Sequence, residues 1–453
     1  MKLKPIILIC LLLLIVSNLP AQQSYNLQSC IKYALENNHN LKKSRLDREK
    51  NTQAGREMMG ALLPQINASA NVSDNIKNMS FIMSNFMAND PTDPKYMSLS
   101  MGTPYSAGAG IVLNQQLLNF SLFNAVEISK MVQKMAALGV ESKEEDIISQ
   151  TAGLYYSVQV TGYVVVQFDK SIGLMGQLLK TMEVSLANGL IKKVDVDRLK
   201  VARSNLMTQR DAIQNAIDVQ KNLLKLQMGL SMDQSIEVEP IDFSYIEDQS
   251  ERETNYTFDL NLQTPYLIIQ QQQELGLRQK KAAIYESFPV LTLSANYQMN
   301  WANDKLSFGN DGEVHYRFPT SAIGLNFKLP IFSGLSRTAK IRQTVIEQKK
   351  LQEDALMLEQ SLNMAYLNAM LKLQDSHKTI QAQRENRTLA QEVYDISEKN
   401  FAQGIASMSD VLNANSSLIQ SQVSYADALS NYMKAYIDLR KANGTIRGLM
   451  EKN

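Results

Sequence analysis

Four short segments of the chain alternate between apolar residues and small or polar residues, which is the pattern of β-strands with one apolar face. They occupy residues 66–73, 107–116, 291–298 and 323–329. In the first segment Ile66, Ala68 and Ala70 project to one side and their polar neighbours to the other. The segments are 7–10 residues long, which approaches the length of a strand that crosses a membrane obliquely.

Much longer tracts with helical spacing separate these strands. No proline lies between Pro104 and Pro240, none follows Pro330, and residues 335–403 contain neither proline nor glycine. Within that last tract apolar residues recur at alternating intervals of four and three, as in the seam of a coiled coil. They are Leu351, Ala355, Leu358, Leu362, Ala365 and Ala369. A helix of about 68 residues is roughly 100 Å long, far beyond the diameter of a globular domain.

Two turns that follow one template interrupt the helical tracts, at residues 186–196 and 401–411. Each has a glycine, an aliphatic residue, four variable positions and then Asp-Val. These positions are Gly189, Leu190 and Asp195 in the first copy, and Gly404, Ile405 and Asp410 in the second. Glycine ends a helix because it enters the left-handed conformation without strain. The helix dipole favours an aspartate in the first turn of the helix that follows.

The four predicted strands are too few to form a closed barrel from one chain. An open sheet edge in lipid leaves backbone groups without hydrogen-bond partners, and known outer-membrane barrels use about eight strands or more. We therefore predict a mixed α/β membrane protein. Each chain contributes four strands to a β-barrel shared between subunits, and the long helices form a coiled-coil α-helical barrel in the periplasm. The duplicated turns predict two internal repeats, residues 22–245 and 246–453, with the same order of elements.

The first 21 residues are predicted to be a signal peptide. Lys2 and Lys4 precede an apolar run at residues 6–16, and a small residue precedes a cleavage point before Gln22. The run is too short to cross a bilayer as a helix, although an uncleaved anchor is the alternative. The leader and the amphipathic strands together predict an outer membrane protein that extends into the periplasm.

Composition argues against several classes of function. The formal net charge is +1, so nothing indicates binding to nucleic acid. Only Cys30 remains after removal of the leader, and His39, His315 and His377 are isolated. Neither a disulfide nor a metal site is therefore predicted. The sequence contains no nucleophile motif, phosphate-binding loop or pair of catalytic carboxylates, so we predict no cofactor and no enzymatic activity.

A methionine-rich segment lies between the first two predicted strands. Met79, Met83 and Met87 occur at helical spacing, and Met97 and Met101 follow. Thioether sulfur is a ligand for soft metal ions such as Cu(I). The interpretation we favour is an amphipathic helix in a polar connection, packed by adaptable side chains.

Several motifs occur in a characteristic order: the opening segment at residues 25–38, the strand starts Leu63-Pro64 and Phe288-Pro289, and both glycine turns. In this order they resemble the TolC-like outer membrane efflux proteins, over essentially all of the mature chain. The resemblance implies a homotrimer with a twelve-stranded barrel and a twelve-helix periplasmic tunnel. It also implies docking to a periplasmic adaptor protein, which links the channel to an inner-membrane pump or an ABC exporter.

The resemblance further implies roles for residues of the two turns, which would lie at the periplasmic tip. The tip and adaptor contact would comprise Gly189, Leu190, Gly404 and Ile405, and the gate or selectivity ring Asp195, Asp197, Phe401, Asp410 and Asn413. Ala406 replaces a family arginine. We therefore expect closure to depend more on packing at Phe401, with Asp410 in a cation-selective ring. Alternatively, Asp195 and Asp410 are only charges that stabilise helix N-termini.

The sequence thus predicts a passive exit duct for a tripartite efflux system, which exports small molecules such as drugs or metals and contacts outer membrane lipid. The alternative within transport is the outer component of a type I protein secretion system. A periplasmic coiled-coil scaffold without a pore is a third interpretation, against which the alternating strands argue. The cargo is not specified, because specificity in such systems belongs to the pump.

Overall fold

The computed structural model describes residues 24–87, 90, 92, 94–240, 257–306 and 316–451. The predicted signal peptide and His315 lie outside the described residues. The strands are β1 (Ser24–Tyr25), β2 (Gln65–Asp74), β3 (Met79–Ser84), β4 (Tyr96–Met101), β5 (Tyr105–Asn119), β6 (Glu237–Val238), β7 (Val290–Asn303) and β8 (Tyr316–Lys328). The α-helices are α1 (Leu27–Asn37), α2 (His39–Gly60), α3 (Phe120–Ala187), α4 (Lys193–Met228), α5 (Thr264–Tyr285), α6 (Ser336–Ala402) and α7 (Met408–Ala442).

One antiparallel sheet contains all four predicted strand segments, in the order β2-β5-β7-β8. Its register aligns the apolar positions of successive strands, and directly paired residues project to the same face. One such row is Ile66, Leu113, Ala295 and Ile323. The four apolar faces predicted separately from the sequence therefore form one continuous face of the sheet.

The opposite face of the sheet is small and polar. Gln298 donates to Asn300 Oδ1 at 2.9 Å, and Asn300 donates to Thr320 Oγ1 at 3.1 Å. Gly108 lies on this face, where an added Cβ would come 2.6 Å from Gln298 Nε2 and 2.8 Å from Asn71 Oδ1. At Gly110, two residues along the same face, an added Cβ would come 2.5 Å from the backbone oxygen of Tyr297, so glycine is required there by the close approach of β7.

The connection between β2 and β5 differs from the prediction. It contains a second two-stranded sheet, in which β3 and β4 pair antiparallel. The favoured interpretation of a loop helix is therefore wrong. A spacing of four, as between Met79 and Met83, puts two residues on one side of a helix but also on one side of a strand. In the strand, Met79, Phe81 and Met83 lie on one face and Ser80, Ile82 and Ser84 on the other, and the apolar Ile82 hides this period of two in the sequence.

The prediction of two very long helices is confirmed. α3 has 68 residues and α6 has 67, so each is about 100 Å long at 1.5 Å per residue. α3 begins directly after β5, and Asn119 Oδ1 accepts a hydrogen bond from the Leu122 N–H at 3.1 Å. α6 follows an irregular stretch in which Gly334 and Leu335 have φ values of 59° and 67°.

The chain forms two compact units, each built from separate segments. The first comprises the residues up to Arg48, Met135–Gln270 and the residues from Glu353 onward; the second comprises Glu49–Lys134 and Gln271–Gln352 and contains the large sheet. The division of the sequence into 22–245 and 246–453 stays a prediction. No helix in the described part of the chain is long and apolar enough to span a membrane.

Candidate functional site

The first glycine turn joins α3 to α4. Gly189 has a φ of 71°. Its N–H donates to Leu186 O at 2.9 Å, and the N–H of Leu190 donates to Ser185 O at 2.9 Å. These two bonds close the helix end in the arrangement that needs a left-handed residue. An added Cβ at Gly189 meets nothing within 4 Å, so the backbone angle alone requires glycine.

The second glycine turn joins α6 to α7 and repeats this geometry. Gly404 has a φ of 76°, its N–H donates to Phe401 O at 3.0 Å, and the N–H of Ile405 donates to Asn400 O at 2.9 Å. The side chain of Ile405 is 72% exposed and that of Leu190 is 75% exposed. Each turn therefore presents an aliphatic side chain to solvent directly after its glycine.

Asp410 lies in the first turn of α7 and forms a capping box with Ser407. Asp410 Oδ2 accepts hydrogen bonds from the Ser407 hydroxyl at 2.7 Å and from the Ser407 N–H at 2.8 Å. The hydroxyl bond, followed by the backbone bond, holds the pKa of Asp410 below its ordinary value. The carboxylate is therefore charged at neutral pH and serves the helix terminus.

The first turn of α4 lacks a capping box like that of α7 and is stabilised by other contacts. Lys192, its N-cap residue, makes no side-chain capping bond. Asp195 Oδ1 lies 3.6 Å from Arg198 Nη1, and Arg198 Nη1 donates to Ser409 Oγ at 3.3 Å. Arg198 therefore connects the start of α4 to the start of α7. Only the spacing of three between Asp195 and Arg198 is visible in the local sequence, because Ser409 is distant along the chain.

The remaining predicted polar residues, Asp197 and Asn413, are exposed. Lys200 of α4 forms an ion pair with Glu183 of α3 at 2.9 Å. The pKa of Lys200 is raised chiefly by this hydrogen bond, and Asp197 makes a smaller contribution. Charged groups thus accompany the first turn on both of the helices that it joins.

One buried core underlies both turns. Its members come from all four helices that the turns join and include Met182 of α3, Leu199 of α4, Tyr394 of α6 and Val411 of α7. Phe401 is partly buried and packs against this core. The structure therefore brings the two predicted turns together, although they are far apart in sequence.

A buried polar pair lies within the helices that carry this core. The hydroxyl of Ser171 donates to Asn415 Oδ1 at 2.6 Å, and the two residues are only 5% and 3% exposed. Such a bond joins α3 to α7 at a fixed position, since either group would lose its partner if the helices shifted. No group of three or more His, Cys, Asp or Glu side chains in the described ranges is arranged to hold a metal ion.

Comparison with known proteins agrees with this arrangement of helices, sheet and turns. Residues 269–445 match the family model described as outer membrane efflux protein. The outer membrane protein TolC of Escherichia coli (strain K12) is 22% identical over 443 residues, which cover 94% of this chain and 83% of TolC. The crystal structure of outer membrane protein VceC from Vibrio cholerae has a TM-score of 0.69 at 16% identity and covers 92% of this chain and 96% of VceC. The CmeC outer membrane channel of Campylobacter jejuni has a TM-score of 0.71 at 15% identity, covering 92% and 85%.

The fold is therefore that of the outer membrane channels with a long helical periplasmic part. The chain is thus similar to TolC over most of its length, and residues 269–445 match the outer membrane efflux family, in agreement with the resemblance of its motifs. It is located in the outer membrane and extends into the periplasm. Proteins of this family are channels and not enzymes.

Proposed function

We propose that the protein is the passive exit duct of a tripartite efflux system and carries small molecules, such as drugs or metals, across the periplasm and the outer membrane. The observation that supports this most is the large sheet, which has one continuous apolar face, one polar face and two open edges. A channel wall in a membrane needs an apolar outer face and a polar lumen face.

The open edges support assembly from several copies. Within the large sheet, β2 and β8 each pair on one side only. On β8 the apolar side chains of Ile323, Leu325 and Phe327 are 77%, 65% and 63% exposed. Unpaired edges are costly in lipid, since no water is present to satisfy the backbone. Pairing β8 of one copy with β2 of the next satisfies both edges, and three copies give the twelve-stranded barrel of the homotrimer.

The long helices carry apolar residues that one chain leaves uncovered. On α6, Leu389, Val393 and Ile396 are 58%, 53% and 57% exposed and occur at spacings of four and three. This spacing is that of a coiled-coil seam. Neighbouring copies would bury such a seam and complete the periplasmic α-helical barrel.

The tip of the periplasmic part would be the docking surface for partner proteins. Leu190 and Ile405 are the exposed aliphatic residues of the two turns, and Gly189 and Gly404 carry no side chain that would keep a partner away. The two turns share one buried core, so the two side chains would together offer an apolar contact to a partner. The partner would be a periplasmic adaptor protein, which joins the duct to an inner-membrane pump or ABC exporter.

The gate would lie at the same tip, formed by acidic and amide side chains with a packed aromatic residue beneath them. Its residues are Asp195, Asp197, Phe401, Asp410 and Asn413. Phe401 would close the opening by packing on the buried core, since Ala406 offers no charged group for a closing contact. Arg198 supplies a charged contact between the turns from a different position, through Ser409.

Single-channel recording in planar bilayers tests the duct and the ring together. The purified protein should be trimeric in detergent and should pass ions with a preference for cations. Asp410→Asn keeps an acceptor for the helix cap but removes the charge, so it should reduce the cation preference and the block by multivalent cations. Asp218→Asn, at an exposed position of α4, is the matched control and should leave both unchanged.

Two results would count against this proposal. Protein that stays monomeric and passes no ions would remove the exit duct altogether and favour a scaffold without a pore. Channels of normal conductance in which Asp410→Asn changes neither cation preference nor block would leave the duct but restrict Asp410 to helix capping.

A further inference from the structure

The β3–β4 hairpin carries its methionines on a single face. In its register Met79 pairs directly with Met101, and Met83 pairs with Met97. Paired residues project to the same side of a sheet, and residues four apart along one strand do so too. The four methionines, two from β3 and two from β4, thus form two cross-strand pairs on one face of the hairpin.

These methionines do not fill a hydrophobic core. Met79 is 68% exposed, Met101 54% and Met83 38%, and none of the four belongs to a buried hydrophobic cluster of the described residues. The opposite face of the hairpin carries no methionine: Ser80 pairs with Ser100, Ile82 with Ser98 and Ser84 with Tyr96. Gap filling in a packed interior, the usual use of methionine, therefore does not explain the pattern.

We propose that each methionine pair binds one soft monovalent metal ion, Cu(I) or Ag(I), between its two sulfur atoms. Directly opposed residues of an antiparallel pair have Cβ atoms roughly 4.5–5.5 Å apart, and the unbranched methionine side chain lets both sulfurs turn toward one ion. Thioethers are soft ligands that favour Cu(I) over hard cations.

The two pairs form separate sites. Phe81, paired with Leu99, lies between them on the same face, and four residues of strand span roughly 13 Å. Each chain therefore holds two ions. The sites use no residue of the helix turns, so the inference does not depend on the proposed exit duct.

Silver(I) titration of the full-length protein in detergent tests the inference, with silver nitrate as the probe in a chloride-free buffer. The wild type should bind two ions per chain at the hairpin. Met79→Leu with Met83→Leu removes one sulfur from each pair at nearly constant volume. Its silver affinity should fall by at least about tenfold, the lower end of the loss caused by removing even an outer partner of a metal ligand.

Two control variants separate pairing from methionine content. Met357→Leu with Met364→Leu removes two exposed thioethers from α6, where they are 66% and 58% exposed, and should leave the hairpin sites unchanged. Ser100→Met with Met101→Ser keeps the composition but moves one sulfur to the opposite face of the hairpin. This exchange should abolish one of the two sites and retain the other.

The inference is overturned if the wild type binds no silver, if the exchanged variant binds two ions as the wild type does, or if the α6 control loses as much affinity as the hairpin variant. An unchanged circular dichroism spectrum and an unchanged elution volume in detergent will show that each variant has folded as the wild type does. In any of these three cases the methionines are only an exposed apolar face.

Discussion

At the scale of single residues, burial sets the chemistry of Cys30, the sole cysteine outside the predicted leader. Its side chain has no exposed surface and lies in the core formed with α4 and α7. Burial, with a smaller contribution from Glu239, raises the pKa of the Cys30 thiol to about 12. Because the thiolate is the reactive species, this thiol is inert for reasons of both access and protonation.

Maleimide labelling tests whether the Cys30 thiol is unreactive in the folded protein. In the folded protein Cys30 should not react at pH 8, and raising the pH to 10 should add little, because a raised pKa delays thiolate formation until the pH approaches that value. Leu190→Cys, at a position 75% exposed, should label rapidly under the same conditions. Cys30 should react after denaturation, whereas rapid reaction in the folded protein would contradict the burial described here.

At the scale of elements, the two turns share a backbone path but differ in how the following helix is held. α7 begins with the capping box of Ser407 and Asp410, whereas α4 has no capping side chain. The contact of Arg198 with Ser409 compensates by tying the start of α4 to α7. A substitution of Arg198 should therefore destabilise the starts of both α4 and α7.

Arg198→Met keeps the aliphatic stem and removes this contact. An exposed charged contact is worth about 0–1 kcal/mol, so the open probability of the channel should rise by no more than about fivefold per chain, the factor that 1 kcal/mol supplies. Single-channel recording measures this directly. Ser409→Ala should give a similar rise, and the double variant no additional one, since both changes remove the same contact.

A control for this prediction lies further along the same helix. Arg210 pairs with Asp169 at 2.9 Å, so Arg210→Met also removes a cross-helix ion pair but at a distance from the turns. It should leave the open probability unchanged. An equal rise in the Arg210 variant would mean that general loosening of α4, and not the contact with Ser409, controls opening.

The elements differ in how far local sequence determines them. Alternation predicted residues 66–73 as a strand and the structure has Gln65–Asp74, because a one-sided apolar pattern fixes both the strand and its register. The glycine turns were equally predictable, since their φ values leave little choice of residue. The β3–β4 hairpin was missed because its methionine spacing fits two periods, and Arg198 was missed because its partner is set by tertiary packing.

At the scale of the whole molecule, the open sheet edges predict how copies join. With Ser69→Cys on β2 and a series of single cysteines on the polar face of β8, including Thr320→Cys, oxidation should link chains into dimers and trimers at one register. Cys30 will not interfere, because it is buried. Ser69→Cys combined with Gln298→Cys on the inner strand β7 is the control and should give no link between chains.

The outcome of this experiment separates two kinds of assembly. Disulfide-linked trimers at one position of β8 would support a shared barrel with a defined register. If no position along β8 forms a link, while the protein is trimeric by mass, the copies associate through their helices alone and the edges must be satisfied in another way.

The junctions between sheet and helix have a mechanical consequence. β5 passes into α3 without an intervening residue, and the side chain of Asn119 fastens the first turn of the helix. Any rotation of α3 about its axis at this junction is therefore imposed on the strand. Between β8 and α6, by contrast, lies an irregular stretch with Gly334 and Leu335 in the left-handed region, and these bonds can absorb a twist. In the proposed duct, a change in the direction of α6 relative to the sheet would therefore be expected at this stretch, and no such change is expected where α3 continues from β5.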